Sequence, residues 1–134
     1  MESLEHFVIG SVAAALALVP LAERFSIPVL LVLFAVGVVL SVLIDLDHFV
    51  LARLRVGDWR HLRRVLGDPT NALSGQGWIF EGVELERERL ASHLVVGIVL
   101  VGIGAALNPA AGAFLAAVIA VHVVCDVLRD REIA

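Results

Sequence analysis

The residues of this 134-residue chain with the greatest chemical potential are a small set of histidines and aspartates. His6, Asp45, Asp47, His48, His93, His122 and Asp126 offer imidazole and carboxylate groups. These are the usual ligands of zinc, manganese and iron. Asp45 and His48 stand at i, i+3, and His122 and Asp126 at i, i+4, so each pair lies on one helical face. His6 and His93 each precede a glycine by four residues, Gly10 and Gly97. The chain therefore repeats one pattern, His-x-x-x-Gly followed after a long apolar run by Asp and His together. A divalent ion held here would lower the pKa of a water towards about 7 and so prepare it for hydrolysis. Seven groups exceed the four ligands of one zinc site. Two ions would use them all, as would one ion whose histidines are oriented by the remaining carboxylates. Zinc is the first expectation for this divalent metal, with manganese and iron as alternatives.

The elements that carry these residues follow from composition. Hydrophobic residues make up 60% of the chain and charged residues 18%, and the mean hydropathy is +0.95. Soluble domains run at about 45–50% apolar and about 25% charged. The chain has too little polar surface to wrap a core in water. A net charge of −4 gives no basic footprint for nucleic acid, and Cys125 has no partner for a disulfide. All ten basic residues are arginine. A bilayer core about 30 Å thick requires about 20 apolar helical residues. Residues 7–22, 27–46, 90–107 and 110–128 come close to that length, with short links at 23–26 and 108–109. Links so short predict antiparallel neighbours. The expected fold is a single all-α membrane domain over 1–134, with four transmembrane helices in an antiparallel bundle. Small residues such as Gly10, Ala14, Gly97 and Gly112 suit close packing of membrane helices.

The arginines orient the bundle. Arg24 alone falls on one side, and the other nine fall in the 47–89 loop or after the fourth span. This positive-inside bias predicts a multi-pass protein of the cytoplasmic membrane with both termini cytoplasmic. Glu2 and Glu5 stand where a cleavable signal would need positive charge, so the first span reads as a membrane helix. Within the loop, Asp58 is placed to cap a helix over 59–66 that Gly67 and Pro69 end. Trp59, Leu62 and Leu66 form its apolar stripe, and Arg60, Arg63 and Arg64 lie off it. Such a basic amphipathic helix is suited to the membrane interface, where Trp59, Arg60, Arg63 and Arg64 would meet lipid. Each arginine near an anionic leaflet adds about 1 kcal/mol of attraction. The turn-rich stretch 68–82 reads as a connector, with Trp78, Ile79 and Phe80 able to dip into the interface. Residues 83–89 read as an extension of the third span.

All seven His and Asp candidates fall at the same end of the four predicted spans. His6 and His93 open their spans, while Asp45, Asp47, His48, His122 and Asp126 close theirs. Each alone has an ordinary structural explanation, such as Asp126 pairing with Arg129. Their convergence on one layer favours a polar site. Cys125 reads as a small buried hydrophobe, and His61 as a residue of the loop helix apart from the layer.

The order of these residues resembles the YdjM-like membrane-bound metal-dependent hydrolases. The likeness rests on His6, Asp45-Leu46-Asp47-His48, Arg89-Leu90-Ala91-Ser92-His93 and His122-Val123-Val124-Cys125-Asp126, and it covers all four spans. It implies an integral membrane protein that holds metal at these positions and hydrolyses a bond. Glu88 stands where the family usually has a second histidine, and Ile44 where it usually has proline. Val127-Leu128-Arg129 replaces the family's usual Thr and Gly.

The expected function is metal-dependent hydrolysis of a phosphoester or lipid head group at the cytoplasmic interface. Asp47 or Glu88 would serve as general base, and Arg89 would stabilise developing negative charge. The alternative is a non-enzymatic four-helix membrane protein whose polar layer is structural or binds a partner. A small transporter is disfavoured, because Leu16, Val36, Ile103 and Ala116 occupy the depths where an ionisable residue would be needed.

Overall fold

The computed structural model of the chain describes residues 3–68, 79–80, 82 and 86–130. Among these, the regular structure is entirely helical. Helix α1 covers Ser3–Leu18 and runs into a 3₁₀ turn at Val19–Leu21. Helix α2 (Ile27–Leu43), a 3₁₀ turn (Ile44–Leu46) and helix α3 (Asp47–Val56) follow one another without a break. Helix α4 spans Arg60–Gly67, α5 spans Glu86–Leu107 and α6 spans Pro109–Asp130. Four helical stretches are long and apolar enough to cross a membrane: Leu4–Leu21, Ile27–Val56, Glu88–Leu107 and Pro109–Arg129.

The boundaries have local causes. Pro28 occupies the first turn of α2, where its missing N–H costs nothing. Pro109 does the same for α6, and the Asn108 side chain caps that helix by accepting the N–H groups of Ala110 and Ala111 at 2.9 and 3.3 Å. Gly57 ends α3 in the left-handed conformation, φ +89°, and donates its N–H to Arg53 O at 2.9 Å. The loop helix starts one residue later than expected, with Trp59 and not Asp58 at its N-cap position; Asp58 Oδ1 accepts the Arg60 N–H at 2.8 Å from just before it.

Two expectations need correction. The second span does not stop at residue 46; winding continues through the 3₁₀ turn to Val56, so the first ten residues of the expected loop are helical. Three residues per turn bring positions i and i+3 into line. Asp45 and His48 are accordingly both buried on the face that Gly37 and Ser41 already define. The loop helix also turns a different side inward. His61 is 1% exposed, whereas Trp59 and Leu66 of the expected apolar stripe are exposed. Ile79 and Phe80 fold back onto the protein: Ile79 is buried and Phe80 packs against Phe49, His48 and His61. Trp78, with the rest of 69–78, and residues 83–85 lie outside the described residues.

The packing is inside out relative to a soluble protein. Large apolar side chains point away, with Leu16 at 67%, Ile98 at 72% and Leu107 at 83% exposure. Small residues and polar groups face inward. Gly10 lies against Ser41, where an added Cβ would overlap the serine side chain. Gly37 leaves room for the Phe114 ring, and Gly112 abuts the backbone of Ala105. Between membrane helices, close approach of this kind stabilises through dispersion and not through exclusion of water. An apolar cluster of Ala14, Leu21, Phe114 and Val118 fills one level of the interior. The polar layer fills another, built on α1, α2–α3, α5 and α6.

Gly10 and Gly102 give opposite expectations for the same substitution. Gly10→Ala is expected to lower stability by about 1–3 kcal/mol through overpacking against Ser41. Gly102, whose Cβ direction is open, should tolerate alanine without loss. Thermal unfolding in detergent micelles checks both, and equal melting temperatures for the two variants would contradict the close approach of α1 and α2.

Candidate metal centre

Each histidine enters the layer from a helix that keeps its backbone polar groups satisfied. His6 lies in the first turns of α1 and His93 near the start of α5; His122 and Asp126 lie one turn apart on α6. Asp45 sits in the 3₁₀ turn and Asp47 and His48 open α3. His6, Asp45, His48, His93, His122 and Asp126 are each no more than 6% exposed. Six ionisable side chains are thus withdrawn from water together.

Asp45 is the hub. Its carboxylate lies 3.3 Å from His6 Nε2, 3.6 Å from His48 Nε2, 3.1 Å from His93 Nε2 and 3.5 Å from His122 Nε2. Asp126 stands 3.3 Å from His6 Nε2 and 3.4 Å from both His93 Nε2 and His122 Nε2. The rings stack, with centroids of His6 and His122 4.2 Å apart and those of His48 and His93 5.0 Å apart. Two groups emerge in which every member offers a ligand atom within 4.8 Å of the others: His6, Asp45, His122 and Asp126, and Asp45, His48 and His93. Asp45 belongs to both. These buried groups could hold metal ions.

The spacing fits that use. Ligand atoms at 2.0–2.2 Å from a tetrahedral ion are separated from one another by about 3.3–3.6 Å. The nitrogen–oxygen distances from His6 and His122 to Asp45 and Asp126 fall between 3.3 and 3.5 Å. Buried polar atoms normally find a hydrogen-bond partner. Asp45 Oδ2, His48 Nε2 and His122 Nε2 are buried here and make no hydrogen bond. Each instead faces a group of opposite formal charge at 3.3–3.6 Å: Asp45 Oδ2 faces His6, and His48 and His122 face Asp45.

The surrounding groups fix the rings. His122 Nδ1 donates to Ser41 O at 3.1 Å, which directs the Nε2 lone pair into the layer. Ser41 in turn donates to His6 O at 3.2 Å and to Val38 O at 2.8 Å, tying α2 to α1 beside the site. His93 Nδ1 donates to Asp47 Oδ2 at 2.9 Å, and the Ser92 hydroxyl donates to the same oxygen at 2.5 Å. A carboxylate behind a histidine is the standard means of orienting a metal ligand.

The candidates read from sequence divide accordingly. His6, Asp45, His48, His93, His122 and Asp126 meet in one layer. Asp47 touches the layer from its edge, with its side chain 14% exposed and its Oδ1 3.5 Å from His48 Nε2, but it belongs to neither ligand group. Glu88 does not reach the layer; it pairs with Arg55 at 3.3 Å on the exposed surface. Its distance of five residues from His93 explains this, since that spacing puts the two on different sides of α5. Arg89 is half-buried on α5, four residues before His93, and its carbonyl accepts from Ser92. Arg60 and Arg63 are exposed on α4 and Arg64 Nη1 donates to Ile79 O at 3.3 Å. Arg53 lies over the Trp59 ring at 5.8 Å. His61 also makes a buried bond, from Nδ1 to Ile79 O. Cys125 is half-buried.

Sequence reasoning overlooked Ser41. Its one signal was a lone hydroxyl in an apolar run, one helical turn before Asp45. Ser92 was visible only as a motif letter, without a role.

Asp47→Asn is expected to keep the fold and to weaken divalent-metal affinity by about 10- to 100-fold, as loss of an orienting carboxylate does. Competition with a chelating dye measures it. Affinity equal to that of the unmodified protein would remove Asp47 from the support of His93. Comparison with protein-family models, with curated proteins and with solved structures returns no match to this chain.

Proposed function

We propose that the protein is a metal-dependent hydrolase of the cytoplasmic membrane, acting on a phosphoester at the membrane surface. One observation carries this reading: a buried His and Asp layer whose ligand atoms stand at the mutual distances of a shared ion's coordination shell. The four apolar helical stretches would cross the bilayer as an antiparallel bundle with both termini cytoplasmic, following the arginine bias. The exposed Arg60 and Arg63 of α4, with Trp59 just before it, would then face the anionic head groups of the cytoplasmic leaflet. The order of motif residues that resembles the YdjM-like hydrolases agrees with this reading.

Two divalent ions, zinc first among candidates, would share Asp45. His6, His122 and Asp126 complete a set of four ligands with it, and His48 and His93 a set of three. Four protein ligands suit a closed site, whereas three leave a position for water or substrate. A divalent ion in such a site supplies Lewis-acid polarisation and lowers the pKa of water. The chain's own residues do the rest. Asp47, the least buried carboxylate of the layer, would serve as the general base while it holds His93 in orientation. Glu88, paired with Arg55 away from the layer, takes no part.

A second reading draws on His93, both of whose ring nitrogens face carboxylates, Nδ1 towards Asp47 and Nε2 towards Asp45. A protonated imidazole there would let the layer stand as a metal-free network that holds the helices in register.

Metal analysis and phosphoester hydrolysis on the protein purified in detergent separate the two. About two equivalents of divalent metal are expected per chain, with turnover of bis-p-nitrophenyl phosphate. Asp45→Ala should lose both, and Glu88→Gln should keep both. Folded protein that takes up no metal on reconstitution would leave the structural network as the better reading.

A further inference from the structure

The three-ligand group of Asp45, His48 and His93 needs a route from water, yet each of its members is no more than 6% exposed. Asp47, with its side chain 14% exposed, marks the side of the layer nearest to solvent. Next to it on α3, His48 meets the ring of Phe80 edge-on, with centroids 5.8 Å apart. Phe80 also lies against Phe49 of α3 at 5.1 Å and is stacked on His61 of α4 at 5.8 Å. One ring thus stands between a ligand of the layer and the loop helix.

The anchor of that ring is a histidine that the chemistry of the layer does not use. His61 is 1% exposed, although it lies on a short polar helix. With its proton on Nδ1 it donates to Ile79 O, and its Nε2 accepts from Arg60 Nε at 3.3 Å. Arg64 Nη1 donates to the same Ile79 O at 3.3 Å. Ile79 is itself 1% exposed. Two bonds from α4 therefore fix the residue that precedes Phe80.

This unit begins and ends at glycines. Among the described residues, Gly57 and Gly82 are the glycines with positive φ, +89° and +80°. Gly57 stands between α3 and α4, and Gly82 two residues after Phe80. In the Cβ direction each has open space within 4 Å. Glycine there accepts a change of backbone angle at little steric cost, which suits the few residues that absorb a hinge motion.

We infer that Phe80, held by α4 through Ile79, is a cover over the His48 side of the polar layer. It is hinged at Gly57 and Gly82, and the three-ligand group is reached when it lifts. The inference rests on the hydrolase reading for its purpose and gives the regulation of that same site: bulk water is kept from the ligands until substrate is admitted. The contacts suit this use. Ring contacts are individually weak enough to break and remake, while the paired bonds to Ile79 O return the ring to one place.

Carbethoxylation of the metal-free protein by diethyl pyrocarbonate in detergent micelles tests it, with modified histidines located by mass spectrometry. Phe80→Ala removes the ring, and His61→Ala removes the anchor from outside the layer. Each is expected to raise the rate at His48 by about tenfold, a factor equivalent to about 1.4 kcal/mol. The rate at His6, which stacks on His122 in the other ligand group, should stay as in the unmodified protein. A rate at His48 unchanged in either variant would overturn the inference. So would an equal rise at His6, which marks general loosening of the bundle. Failure of the unmodified, metal-loaded protein to cleave bis-p-nitrophenyl phosphate would instead count against the hydrolase reading, and the labelling would still decide the cover.

Discussion

The carboxylate of Asp45 lies within 3.6 Å of imidazole nitrogens from three other helices and from the start of its own continuation, α3. A carboxylate withdrawn from water at the end of an apolar helix costs about 2.5–3.5 kcal/mol at mid-membrane on insertion scales, and less towards the interface. The surrounding histidines offset that cost only by holding a proton or a cation next to it. The rest of the arrangement follows from this requirement. The 3₁₀ turn that holds Asp45 aligns it with His48, Gly10 lets α1 approach Ser41 and bring His6 in, and Ser41 O fixes His122.

The distribution of side-chain size serves the same end. Helices with large residues inside could not bring four histidines onto two aspartates. Gly10, Gly37, Gly97 and Gly112 each stand where a Cβ would meet a neighbouring helix. The large apolar side chains are turned outward, where a bilayer would solvate them as well as protein would. Polar residues at one level of the interior and an apolar cluster around Phe114 at another divide the molecule into a layer for chemistry and a layer for cohesion.

Much of this was legible in the sequence, because the relevant signals are strong and local. Runs of about 20 apolar residues announce helices that can cross a membrane, and scarce charges in such a chain draw attention by position alone. The gathering of His6, Asp45, His48, His93, His122 and Asp126 followed from short links and from which end of each run they occupy. What was not legible depended on rotation about helix axes. Asp47 and Glu88 looked equivalent as candidate bases, yet one supports His93 and the other faces Arg55 on the surface. Periodicity marked Trp59, Leu62 and Leu66 as the apolar side of α4, but tertiary contacts with Ile79 and Phe80 turned His61 inward. The continuation of winding through residue 56 was hidden because hydropathy falls where the helix does not.

X-ray absorption at the metal edge, on protein reconstituted with zinc, most directly tests whether Asp45 joins two ions. The expected spectrum shows nitrogen and oxygen ligands at about 2.0–2.2 Å and a metal–metal distance of about 3.5–4 Å. A single ion surrounded by water oxygens, with no imidazole scattering, would contradict it.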